Sequence, residues 1–159
     1  MPKENTPKEG TVENTVDFEF YRKIFEEFIP FHKLLGFKLE SVEQNAALIK
    51  IVYHKDLLGN ALAGNIHGGV LVSAMDSAGG IAAMTTINMR ADKIATIDIR
   101  TDYLSPAKKD NNVMVEAKVQ KSGNRVIFTH IQAYPEGQPE KILAEGRAIY
   151  SVKRKEANQ

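Results

Sequence analysis

The spacing that suggests chemistry in this sequence is His67-Gly68-Gly69 followed by Asp76, nine residues after the histidine, inside GNIHGGVLVSAMDSAGGIAAM (residues 64–84). Almost everything else in that stretch is small or apolar. A carboxylate withdrawn from water is costly unless it is paired or used, and a partly buried acid is what general-base or nucleophile chemistry draws on. The alternative is an aspartate that faces water or caps a local backbone group. Glycine N–H groups at a helix start are unpaired and have the positive end of the helix dipole behind them, so they can polarise a carbonyl or hold an oxyanion. A tight turn accounts for the same glycines without chemistry. His67 is a candidate general acid or, equally, a structural imidazole bonded to a nearby loop. No HExxH or other metal-ligand spacing accompanies it, and no metal site is expected.

These groups need an element to position them. The pattern predicts a helix from about Gly68 to Met84 with small residues around most of its circumference. Val70, Leu71, Val72, Ala74, Met75, Ala78 and Ile81 occupy every side, which leaves little room for a solvated stripe. Glycine costs a helix interior roughly 1 kcal/mol relative to alanine, so Gly79 and Gly80 imply close packing, which a sheet curling around the helix supplies. Gly68 and Asp76, eight residues apart on one helix, lie ~12 Å apart along the axis. Both contacts with one carbonyl require roughly 3 Å, so one chain cannot make them together. Two antiparallel copies can: Gly68 of one chain then faces Asp76 of the other, in two equivalent composite sites. A homodimer is therefore expected.

A chain of 159 residues with 43% hydrophobic content fits one domain with a sizeable core. Its 21 basic and 20 acidic residues are spread evenly, so charge gives no footprint for nucleic acid or an anionic membrane. The absence of cysteine excludes disulfides and thiolate chemistry and suits a cytoplasmic location. The N-terminus lacks the pattern of a signal peptide, and the longest weakly polar stretch is interrupted by Asp76, so no transmembrane span is expected. Residues 1–15 read as a disordered arm, 16–152 as the folded domain and 153–159 as a polar tail. Phe18 to Leu35 carries the spacing of an amphipathic helix that Pro30 disturbs near its end. Two strands joined near Gln44-Asn45 follow, and four more strand-like runs come after the central helix, separated by turn residues. The predicted architecture is α+β: an antiparallel sheet of about five or six strands around one long helix.

HGGVLVSAMDSAGG and ATIDIRTDYLSPAK together resemble the hotdog-fold acyl-CoA thioesterases of the PaaI-like group, over about Phe31 to Val152. GNALAGNIHGGV with TIDIRTDYLSPA looks most like the bacterial members that act on medium- and long-chain acyl-CoA. The resemblance implies a sheet wrapping a long helix and a dimer, with pairing of dimers into a tetramer left open. It also implies thioester hydrolysis without a cofactor, coenzyme A being part of the substrate. It makes Asp76 the nucleophile or the base that activates water, and the Gly68 amide of the partner chain the polariser of the carbonyl. It asks for an asparagine upstream: Asn60 is the better match and Asn65 the competitor. It places a hydroxyl at Thr96, yet strict alternation puts Thr96 on the face of Asp98 and Arg100, away from Ile97 and Ile99, so that role needs a bulge or the dimer seam. For coenzyme A it implies Tyr103 and the turn Lys121, Ser122, Gly123, Asn124, Arg125 and Val126, with Lys108 and Lys109 as lesser candidates. The phenylalanine-rich first helix is a candidate cover for the acyl tunnel.

Three other readings stay open. The substrate could be an aromatic acyl-CoA of the phenylacetyl type. A hotdog dehydratase would use a histidine and an acid, although fatty-acid dehydratases carry a longer interval between them and no HGG. A non-catalytic acyl-CoA-binding protein would bind the same ligand without releasing thiol.

Overall fold

The computed structural model describes residues 16–154; the arm read at 1–15 and residues 155–159 of the tail lie outside the described residues. The predicted first helix is two. Helix α1 (Phe18–Glu27) starts on Asp17, whose side chain accepts from the Phe20 N–H, and Pro30 opens the short α2 (Pro30–Leu34). Proline suits that first helical position, where its missing N–H would have had no partner. α1 buries Tyr21 and Phe25, while Phe28 and Phe31 remain exposed.

β1 (Phe37–Glu43) and β2 (Ala46–Ile51) form the expected hairpin, with Asn45 in the left-handed conformation at its turn. A short hairpin that the periodicity did not reveal, β3 (Leu58–Asn60) with β4 (Asn65–Ile66), leads into α3 (Gly68–Met84), whose bounds are those predicted. β5 (Lys93–Tyr103), β6 (Val113–Ser122), β7 (Val126–Pro135) and β8 (Ala144–Lys153) complete the chain; β8 runs one residue into the stretch read as tail. Six strands make one antiparallel sheet in the order β1-β2-β6-β7-β8-β5.

α3 lies on this sheet. Ala74, Met75, Ala78, Ala82 and Ala83 are fully enclosed, against Ile49, Val115, Ile127 and Ile131. Small side chains let the strands come close, and Tyr150 of β8 shows how close. Its hydroxyl donates to the Asp76 carbonyl at 2.8 Å, and a Cβ at Gly79 would collide with that hydroxyl. The glycine costs helix propensity, and the buried tyrosine accounts for it.

β5 departs from strict alternation. Thr96 pairs with Tyr150 and Asp98 with Ile149, so Ile97 is an extra residue, a β-bulge. On one side of it Ile94 and Thr96 face α3; on the other Ile99, Thr101 and Tyr103 do, with Thr101 contacting Met75 and Tyr103 contacting Gly68. Thr96 therefore shares the face of Ile99 rather than that of Asp98 and Arg100, and Ile97 is left 59% exposed.

Candidate active site

Asp76 is partly buried in the middle of α3. Its Oδ1 accepts a 2.8 Å hydrogen bond from the Thr96 hydroxyl, which the bulge turns toward the helix. That bond ties the carboxylate to β5. The acid borders a cavity of about 210 Å³ whose remaining lining is mostly apolar: Ile29, Ile81, Met84 and Ile94. Burial, reinforced by the negative charge of Asp76, pushes the Tyr150 phenol well above its ordinary range, so it stays a neutral donor.

Two further polar residues of this cavity were not anticipated, His32 of α2 and Ser77. His32 Nδ1 lies 2.9 Å from the Phe25 carbonyl and its Nε2 lies 2.8 Å from the Ser77 hydroxyl. Burial holds the His32 imidazole below its usual range, against smaller upward contributions from the Phe25 bond and from Asp76. A histidine in an apolar helical run carries no signal of such a contact in the sequence; only the fold brings residues 32 and 77 together.

Gly68 opens α3 at the other end. The Gly69 N–H is taken by His67 Nδ1 at 2.9 Å and the Val70 N–H by the His67 carbonyl, and among the described residues the Gly68 N–H has no acceptor. His67 is thus the cap of its own helix, with Nδ1 occupied as an acceptor. The Tyr103 hydroxyl donates to the Gly68 carbonyl at 2.8 Å, and its ring lies against the glycine. These residues border a second cavity, about 320 Å³, with Asn65, Leu71 and Leu104. Of the two asparagines, Asn65 lines this cavity and accepts from Lys108 at 2.9 Å. Asn60 is exposed, and its side-chain carbonyl caps the Ala63 N–H in its own turn. The Lys109 N–H closes the neighbouring turn on the Gly64 carbonyl.

The two cavities share no residue, and within one protomer Gly68 and Asp76 stand ~12 Å apart along α3. The residues expected at coenzyme A divide in the same way. Tyr103 is at the start of α3, whereas the turn Lys121, Ser122, Gly123, Asn124, Arg125 and Val126 is at its far end, where Ser122 bonds to Thr86 at 3.0 Å. That turn is closed by the Gly123 N–H on the Val126 carbonyl, and Lys121 and Arg125 are exposed beside it. Among the described residues no helix is long and apolar enough to cross a membrane, and no group of three or more His, Asp or Glu converges as metal ligands.

An antiparallel six-stranded sheet curled on one long helix is the architecture of the hotdog class of α+β proteins. Residues 63–142 match the sequence pattern of the thioesterase superfamily, and the chain belongs to that family. The medium/long-chain acyl-CoA thioesterase YigI of Salmonella typhimurium is 28% identical over 142 residues, 82% of this chain and 90% of that protein. Its Escherichia coli counterpart is 27% identical over the same shares. The fold matches that of the thioesterase HI1161 from Haemophilus influenzae, with a TM-score of 0.77 at 17% identity over 92% of this chain and 97% of that one. It also matches the phenylacetic acid degradation protein PaaI from Thermus thermophilus, with a TM-score of 0.67 at 24% identity over 77% and 98%.

Proposed function

We propose that this enzyme hydrolyses medium- or long-chain acyl-CoA, at a site completed by a second copy of the chain. The observation that carries the shared site is the separation of its halves: the carboxylate and the free amide occupy different cavities at different levels of one helix. A two-fold partner with its α3 antiparallel sets Gly68 and Tyr103 of one chain against Asp76 and the Lys121–Val126 turn of the other. The apolar lining of the Asp76 cavity and the names of the YigI relatives support a fatty acyl substrate.

In this arrangement the Gly68 N–H donates to the thioester carbonyl oxygen and stabilises the negative charge that develops on it. Asp76, held through Oδ1 by Thr96, either removes a proton from the attacking water or attacks the carbonyl itself, forming an anhydride that water then opens. Both courses consume one water, break the carbon–sulfur bond and release a carboxylate and coenzyme A. The thiolate leaves readily, so no acid is needed at the sulfur.

The test is complementation. Asp76→Ala and Gly68→Pro homodimers each lack half of every site and should release little thiol from acyl-CoA. A heterodimer of the two, purified through different tags, holds one site damaged twice and one wild-type site. It should recover about half of wild-type turnover, since one of its two sites is intact. A heterodimer as inactive as its parents excludes the shared site, and wild-type protein that releases no thiol from fatty acyl-CoA excludes the activity.

A further inference from the structure

His32 is 6% exposed, is titratable, and plays no part in the hydrolysis just described. Its two ring nitrogens define its state. Nδ1 faces the Phe25 carbonyl at 2.9 Å, and because a carbonyl only accepts, Nδ1 carries a proton. In the neutral ring Nε2 is then an acceptor, and the group opposite it is the Ser77 hydroxyl at 2.8 Å. That hydroxyl also lies 2.8 Å from the Ser73 carbonyl. One hydroxyl proton thus faces two acceptors; with the neutral ring it serves Nε2, and the Ser73 carbonyl keeps the Ser77 N–H of the helix. A proton on Nε2 reverses the bond: the ring donates to Ser77, and the Ser77 hydroxyl turns to the Ser73 carbonyl.

Charge and burial act on the ring in opposite directions. Asp76, the residue before Ser77, borders the same cavity and favours the imidazolium, while burial among Phe25, Phe37 and the cavity wall disfavours it and prevails. Tyr150 of β8 is the other titratable group on that cavity, and it stays neutral. β5 contributes the uncharged Thr96. Glu26 of α1 is turned away, onto Lys38 and the Leu39 N–H of β1.

We propose that His32 is a positioning residue for Asp76: through Ser77 it ties the α1–α2 segment to the turn of α3 that carries the acid, and protonation of its Nε2 turns the site down. The inference rests on Asp76 being the reacting acid. An imidazolium beside the carboxylate stabilises its anion and weakens it as a base or nucleophile. Coupling between two titrating groups is reciprocal, so the carboxylate must bias the ring by the same free energy.

Two measurements test this on the full-length protein. The first is an NMR titration of the His32 ring, assigned by its loss in His32→Gln. In Asp76→Asn the ring should titrate at lower pH than in wild type, because the charge that favours its protonation is gone; an unchanged midpoint overturns the coupling, whether or not the protein hydrolyses anything. The second is the pH profile of kcat for thiol release. Wild type should lose activity below the midpoint of the His32 ring, by at most about tenfold per pH unit, down to the level of the protonated form. His32→Gln, whose amide can still bridge Phe25 and Ser77, should lack that step whatever its plateau. Superimposable profiles would overturn the switch. Absence of thiol release from wild type at every pH overturns the thioesterase reading instead, and the ring titration then decides the coupling by itself.

Discussion

Thr96 reaches Asp76 only because β5 carries one residue more than its partner strand. The hydroxyl stands 2.8 Å from Oδ1, and the extra residue, Ile97, restores to the helix-facing side a threonine that alternation would have pointed away. Thr96→Val keeps the shape and the strand preference of the side chain and removes the donor. A hydrogen bond to a charged group is worth about 1.5–3 kcal/mol, so kcat should fall roughly 10- to 100-fold with little change in thermal stability. Steady-state thiol release alongside a melting curve checks it, and unchanged kcat would remove Thr96 from the site.

Gly79 and Tyr150 are matched in the same sense. A methyl group at position 79 meets the Tyr150 hydroxyl and crowds Thr129 and Ile131. Overpacking of a tight core costs about 1–3 kcal/mol, so Gly79→Ala should destabilise by that order in spite of alanine's better helix propensity. Tyr150→Phe removes the atom in the way. The double variant should therefore be more stable than the sum of the two single effects predicts, and denaturant unfolding of all four proteins measures the difference. Simple additivity would mean that the collision is relieved elsewhere.

Much of this was legible in the chain. α3 could be bounded to the residue because a run of small and apolar side chains begins at a histidine–glycine pair and ends where threonines follow Met84. Turn residues near Gln44-Asn45 and in the three breaks between the later strands delimited the strands. What escaped depends on partners distant in sequence. A bulge is a mismatch in count between two strands, and nothing within KIATIDIRTDY alone reveals one. β3 and β4, three and two residues long, are too short to show a period. His32 meets Ser77 across 45 residues of chain, so its polar contact is a product of the fold. The choice between Asn60 and Asn65 as a cavity residue likewise waited on the small hairpin that turns Asn65 toward Gly68.

The role assigned to the Gly68 amide can be separated from the space around it by two substitutions. Proline is tolerated at the first position of a helix, and His67 already has the extended backbone, ψ 133°, that a following proline requires. Gly68→Pro thus deletes the N–H with the helix retained. Gly68→Ala keeps the N–H and adds a methyl that lies 3.2 Å from the Tyr103 ring, which is exposed and free to yield. Loss of one oxyanion donor costs about 10²–10³ in kcat, so the proline variant should fall by that much and the alanine variant by less than about tenfold. Equal losses would show that bulk at this position matters rather than the amide.

Acid should weaken the fold through His32. Burial holds its pKa in the folded state below the unfolded value of about 6.5, so between those two pKa values the unfolded chain binds more protons than the native one. Stability therefore falls as pH drops below about 6.5, with a slope of at most about 1.4 kcal/mol per pH unit from this group, and the loss levels off once the native ring is also protonated. The neutral side chain of His32→Gln has no such window. Urea midpoints of the two proteins, measured at closely spaced pH values from neutrality downward, should diverge in slope below about 6.5, with wild type the steeper. Parallel curves would place the native ring at its unperturbed pKa, and the burial of His32 against Phe25 would then carry no energetic consequence for folding.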